Sequence, residues 1–209
     1  MRVLIFGATG AVGREVLAQA LELGHGVRAL VRDPAKLAVR HPNLEVMTGD
    51  ALSPGDVDRA VQGQEAVVYC LGERAYGKET TLFSDSTRIL IAAMEKHGVK
   101  RLVALTGIGA GDSKGHGGWI YDWIVYPLIT KRIYQDKDRQ EDLIRGSSLD
   151  WTIMRAAAFT DGPKGGKLRA TDELEGVTIA SITRADTAAF LLEQLGSKQW
   201  LRRSPLVGY

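Results

Sequence analysis

A chain of 209 residues, 44% of them hydrophobic, is long enough for one α/β domain with a sizeable core and short for two. Its 27 Lys and Arg against 25 Asp and Glu leave a formal charge of +2, which gives no electrostatic ground for nucleic acid as the main partner. The single cysteine excludes an intrachain disulfide and fits a reducing compartment. The first apolar run is only four residues long and leads into a glycine turn, so it is not read as a signal peptide, and the expectation is a cytoplasmic protein without a membrane partner.

In chain order, Val3 to Phe6 is an apolar run suited to a strand buried on both faces of a parallel sheet, and it stops at Gly7. From residue 11 to 23 the apolar positions Val12, Val16, Leu17, Ala20 and Leu21 recur at helical spacing, with Gly24 closing the run. Between them lies Gly7-Ala8-Thr9-Gly10-Ala11-Val12-Gly13. Gly7 suits a tight turn, Gly10 a close approach of backbone to a pyrophosphate, and Gly13 close packing of the helix on its strand. Three spaced glycines also fit an ordinary βα turn; their place between a buried strand and an amphipathic helix favours a dinucleotide grip.

Further strands are read at 26–32, 44–48, 65–71, 100–106 and 150–155, and helices near 56–62, 81–97 and 132–146. This alternation predicts a single-domain α/β fold, a doubly wound parallel sheet of the Rossmann kind in the order 3-2-1-4-5-6 with helices on both faces. Cys70 falls in a strand and reads as a small core residue. After Arg155 the pattern becomes irregular: a loop at 161–167, a short strand near 177–182, a helix near 184–195 and a basic tail. Residues 156–209 are therefore expected to cover the carboxyl ends of the strands and the substrate.

The spacing Gly7-x-x-Gly10-x-x-Gly13 resembles that of the short-chain dehydrogenase/reductases, and Gly-Ala-Thr-Gly is most similar to the atypical members of that superfamily. Leu30-Val31-Arg32-Asp33, Gly49-Asp50, the run Gly63 to Val68 and the run Ala92 to Val99 extend the resemblance over about the first half of the chain. Within the superfamily it resembles the biliverdin-IXβ reductase/flavin reductase type, more loosely in the second half. The resemblance implies a nicotinamide dinucleotide lying along Gly7, Thr9, Gly10, Ala11, Val12 and Gly13. It adds Asp50 and Ala51 beside the adenine, Leu71, Gly72 and Arg74 beside the ribose and pyrophosphate, and Thr106, Gly107, Lys137 and Arg155 toward the nicotinamide.

The end of the second strand bears on which dinucleotide binds. A ribose 2′-hydroxyl calls for a carboxylate there, and a 2′-phosphate for a guanidinium. Arg32 is followed by Asp33-Pro34-Ala35-Lys36, in which Asp33 has a sufficient role as an N-cap before proline. Arg32 with Lys36 therefore predicts NADP(H) in preference to NAD(H).

The chemistry is less legible. In the superfamily a Tyr and a Lys four residues later share a helix face. Counting back from the run Glu141 to Arg155 makes Lys137 that lysine and puts Ile133 at the tyrosine position, with Tyr134 adjacent. Thr106 is a partial substitute for the superfamily's serine. Thr106, Lys137 and Tyr126 are the weak catalytic candidates. Two Trp and two Tyr interleave with aliphatics over residues 117–129 after a Gly/Ser/His loop; this segment reads equally as a lid over a planar acceptor, a core helix or a subunit contact. His116 beside it has a solvated loop position as its plainer reading, and no His/Cys/Asp/Glu spacing suggests a metal. Two functions remain open at this point. One is an NADPH-dependent oxidoreductase acting on a planar small molecule such as a flavin, quinone or tetrapyrrole, without a Tyr-Lys dyad, as a monomer or homodimer. The alternative is a catalytically silent NADP(H)-binding sensor, regulator or assembly protein.

Overall fold

The computed structural model describes residues 1–73, 79–116, 118, 119 and 121–209. The central sheet is built from β1 (Arg2–Phe6), β2 (Gly26–Val31), β3 (Leu44–Thr48), β4 (Ala66–Tyr69), β5 (Arg101–Gly107), β6 (Asp150–Ala156), β8 (Arg169–Thr171) and β10 (Leu206–Gly208). A separate ribbon pairs β7 (Ala158–Thr160) with β9 (Ser181–Thr183). The helices are α1 (Ala11–Glu22), α2 (Pro54–Val61), α3 (Leu82–Lys96), α4 (Lys131–Gly146) and α5 (Arg184–Glu193). A segment of π-helical turns, Tyr121–Thr130, leads directly into α4.

The strand order is β3-β2-β1-β4-β5-β6-β10-β8, parallel except for β8, so the expected 3-2-1-4-5-6 order stands and is extended by two strands. Alternation of side chains divides each central strand between two cores. Val3 and Ile5 of β1 join Val16, Leu17, Ala188 and Leu191 on the α1/α5 side, whereas Leu4 and Phe6 join Val57, Phe83, Leu90, Ile133 and Ile144 on the α2/α3/α4 side. Cys70 is buried in the first of these cores, where its thiol donates to the Phe6 carbonyl at 3.0 Å and burial pushes it up to about 12.

Three expectations are corrected. The second helix begins at Pro54 rather than 56, because the Ser53 hydroxyl accepts from the Asp56 N–H and proline takes the first turn. The short strand expected over 177–182 is confined to Ser181–Thr183. The end of the chain is not a mere tail. Leu206 and Val207 pair with Arg155 and Ala156 of β6, and β8 pairs antiparallel on the far side, so part of the region expected to roof the strands widens the sheet instead.

What fastens this region is Asp186, 3% exposed. Its carboxylate accepts from the backbone N–H groups of Gly165 and Gly166 and from the hydroxyls of Thr183 and Tyr209. Burial alone would raise its pKa; these hydrogen bonds outweigh burial and hold the carboxyl below the usual range. One residue of α5 thereby ties the 161–167 loop and the last residue of the chain to the α1/α5 layer.

Candidate functional site: a dinucleotide cradle and the end of the fifth strand

At the mouth of β1, Gly7 makes the tight turn and Gly13 the close packing that their spacing predicts. Gly7 is held at φ +89°, and a Cβ there would lie 2.5 Å from the Cys70 carbonyl oxygen. A Cβ on Gly13 would overlap the Gly7 carbonyl, so the first turn of α1 lies directly against the loop. Gly10 is the N-cap, with ordinary extended backbone angles and its N–H bonded to the Gly7 carbonyl at 2.9 Å. It carries no side-chain cap, and the first turn holds no acidic residue. The helix dipole and free N–H groups at this end therefore favour an anion. Thr9, Gly10 and Ala11 lie at least partly open to solvent, whereas Val12 and Gly13 are buried beneath them.

The end of β2 adds charge beside this cradle. Asp33 is an N-cap: its carboxylate accepts from the Ala35 N–H at 3.1 Å and lies 3.7 Å from the Lys36 ammonium. Arg32 is exposed and pairs with no carboxylate among the described residues. Arg14, which the sequence reading passed over, donates to the Lys36 carbonyl at 3.3 Å, so the structure links the first turn of α1 to the Arg32–Lys36 segment. The signal was available, because Arg14 follows Gly10 by one helical turn. On the next strand, Asp50 accepts the Leu52 N–H at 2.9 Å and Ala51 is half-buried beside it. Leu71 is half-buried and Gly72 exposed at the end of β4; Arg74 lies outside the described residues.

At the end of β5 the arrangement is less like the expectation. Thr106, 3% exposed, donates to Glu141 Oε1 at 2.8 Å. Glu141 also accepts from Arg155 Nε at 3.2 Å and Nη2 at 2.8 Å, and from Arg145 Nη2 at 3.1 Å; Asp112 takes a further donor of Arg155. Thr106 and Arg155 are thus engaged in a buried ionic network that clamps β5, β6 and α4 together. This gives both residues a structural part, and Glu141 is its unforeseen centre.

Helix α4 carries two working faces. Ile133, Asp136 and Gln140 are buried toward α3, where the Asp136 carboxylate accepts from the N–H groups of Phe83 and Ser84 and caps that helix from outside. Lys137 is half-buried with its ammonium 4.3 Å above the Phe83 ring centre. Desolvation pushes its pKa down to about 8, against the pull of Glu141 and Asp136. The other face turns to the loop after β5. A Cβ on Gly107 would collide with the Tyr134 hydroxyl, and one on Gly109 would lie 3.1 Å from the Tyr126 ring. The two tyrosine rings meet at 5.8 Å between centres. The position adjacent to the counted one, Tyr134, therefore reaches the end of β5, while Ile133 goes to the core.

In the aromatic segment the described Trp119, Trp123 and Leu128 are not core: they are 71%, 74% and 75% exposed. Its Tyr126 ring fastens it against Gly109. His116 Nδ1 is bonded to the Val177 carbonyl at 2.9 Å. Among the described residues no group of acidic, His and Cys side chains is arranged to hold a metal, and no helix is long and apolar enough to cross a membrane.

A strand–glycine–helix cradle at the centre of a parallel sheet defines a nucleotide-binding protein of the Rossmann type. A family model for NAD(P)H-binding proteins matches residues 7–198, and the chain belongs to that family. It is similar to the photosystem II assembly factor Ycf39 of Synechocystis sp., 28% identical over 78% of this chain and 46% of that protein. It is also similar to the (4-alkanoyl-5-oxo-2,5-dihydrofuran-3-yl)methyl phosphate reductase of Streptomyces griseus, 31% identical over 75% of this chain and 48% of that one. The chain thus spans about half the length of these two relatives. In fold it matches ChuY, an anaerobillin reductase from Escherichia coli O157:H7, with a TM-score of 0.84 and 23% identity over 100% of this chain and 97% of that one.

The cradle's geometry separates its glycines experimentally. Gly10→Val keeps permitted backbone angles and meets only the Gly7 carbonyl, at 3.2 Å from its Cβ, so the variant is expected to fold and to bind NADP(H) at least ~100-fold more weakly, about 2.7 kcal/mol. Gly13→Val must displace backbone and is expected to lower stability by about 1–3 kcal/mol as well. Thermal unfolding with dinucleotide titration distinguishes the two; wild-type affinity in a folded Gly10→Val variant would show that the loop is not the grip.

Proposed function

We propose that the protein is an NADPH-dependent oxidoreductase that passes hydride to a planar conjugated acceptor. The observation that carries this reading is the anchoring of the exposed aromatic segment, through Tyr126 on Gly109, beside the β5 end where the nicotinamide of a dinucleotide in the cradle would lie. Trp119 and Trp123 then offer indole faces to a flat ligand. The dinucleotide supplies the hydride; the chain's residues bind and orient it. Gly10 and the α1 N-terminus take the pyrophosphate, Lys137 takes the ribose hydroxyls, and Arg32, Lys36 and Arg14 surround the place of a 2′-phosphate. A conjugated acceptor delocalises the charge delivered with the hydride, so a positioned acid, typically worth ~10²–10⁴-fold, is less needed than for an isolated ketone. In this reading the proton comes from water.

The placement of Tyr134 at Gly107 favours a second reading of the proton's source, in which its phenol donates to the acceptor, with Lys137 three residues on as the neighbouring cation. The assembly-factor relative keeps a third reading, a silent NADP(H)-binding protein, in view.

Cofactor preference is tested by titration calorimetry. Charge-assisted hydrogen bonds are worth about 1.5–3 kcal/mol each, so NADPH is expected to bind at least ~10-fold more tightly than NADH, with the preference largely lost in Arg32→Ala. Equal affinities in the wild type would contradict the assignment. For mechanism, Tyr121→Phe, Tyr126→Phe and Tyr134→Phe are expected to stay within ~10-fold of wild-type turnover, while Lys137→Ala loses mainly cofactor affinity. Since its ammonium form prevails below pH about 8, the lysine's contribution to affinity should be full below that pH and fade above it. A ~1000-fold loss of turnover in Tyr134→Phe with cofactor bound would replace the water-fed reading by the tyrosine one.

A further inference from the structure

A second basic pocket lies across the sheet from the cradle, with β4 and β5 between β1 and the β6–β10 pair that borders it. It is a cavity of about 410 Å³ between the end of α4, β6 and the turn before β10. Three of its arginines are engaged: Arg155 by Glu141 and Asp112, Arg145 by Glu141 and Ser204, and Arg203 by Asp172. The fourth, Arg202, donates to the Ser147 carbonyl at 2.9 Å and has no carboxylate partner among the described residues. Its backbone is held at φ 56°, a region costly for a side chain larger than glycine, by its N–H bond to the Trp151 carbonyl at 2.7 Å. Trp151 itself lines the pocket, 6% exposed, and its indole N–H is buried with no acceptor among the described residues. An acceptor-rich ligand that reached this donor would supply the hydrogen bond it lacks.

We propose that this pocket is a second anion site that takes the phosphate group of a small phosphorylated ligand, with Arg202 and the Trp151 indole N–H as its defining donors. Four guanidinium groups stand against the carboxylates of Asp112 and Asp172 in the lining and Glu141 behind it, so the excess charge is positive and is concentrated at the guanidinium that no carboxylate holds. Phosphate oxygens match a guanidinium fork and an indole N–H together, since both are pure donors. The site is separate from the pyrophosphate grip, which uses backbone N–H groups on the other side of the sheet centre.

The test is calorimetric titration of the full chain with inorganic phosphate at ionic strength fixed by sodium chloride, for the wild type, Arg202→Gln, Trp151→Phe and Gly10→Val. The expected result is saturable binding in the wild type and in Gly10→Val, weakened at least ~10-fold in Arg202→Gln and measurably in Trp151→Phe, with NADPH affinity unchanged in these last two. Cooperative thermal unfolding checks that each variant is folded, and Trp151→Phe, which removes the N–H together with part of the ring system, carries the test if Arg202→Gln does not fold. No saturable binding in the wild type would overturn the proposal. So would binding lost in Gly10→Val and retained in Arg202→Gln, which would put the phosphate on the cofactor grip.

Discussion

The contact between Gly13 and the Gly7 carbonyl fixes the architecture on which the rest depends. With no side chain between them, α1 packs directly on the turn that ends β1, and its dipole and unbonded N–H groups open at the middle of the sheet rather than beyond it. That same seating brings Arg14 to the Arg32–Lys36 segment, so the anion-binding backbone and the cationic side chains around it are products of one close approach. The cradle tolerates this because Gly7 alone accepts the positive φ and the proximity of the Cys70 carbonyl.

The opposite wall of the site is held by ions rather than by glycine. Glu141, Arg155 and Thr106 are each at most 3% exposed, with Arg155 and Thr106 both bonded to Glu141, and Asp136 caps α3 from within α4. Removing one member of such a buried pair typically costs about 3–5 kcal/mol, because the partner is left charged and uncompensated; the gain of the intact pair is mainly fixed geometry. That geometry determines which residues of α4 turn toward the end of β5. It also leaves Lys137 in a desolvated place on the Phe83 ring, where its pKa falls to about 8.

The cradle was legible because its signals are local: residues a few positions apart on one strand, one turn and one helix. Asp33 announced a helix start for the same reason, whereas the Ser53 cap that starts α2 at Pro54 was not read. β10 was not legible, since Leu206-Val207-Gly208 is too short to show a period and exists only through pairing with β6 and β8, far away in sequence. Tyr134 was passed over because the register was counted from Lys137 as one ideal helix face. In the structure Ile133 turns to α3 while Tyr134 turns to Gly107, and the π-helical segment before α4 delivers Tyr126 onto the same loop. The resemblance placed Arg155 toward the nicotinamide, and only the fold reveals Glu141 and Asp112 around it.

Acceptor specificity tests the account most directly. NADPH oxidation by the full-length protein is followed against free flavins, quinones and linear tetrapyrroles alongside simple aliphatic ketones of similar solubility. Turnover is expected on at least one conjugated class, with ketones slower by at least ~100-fold, the range a positioned acid would otherwise supply. Turnover on ketones equal to that on the conjugated acceptors would contradict it, as would tight NADPH binding with no oxidation by any member of the panel.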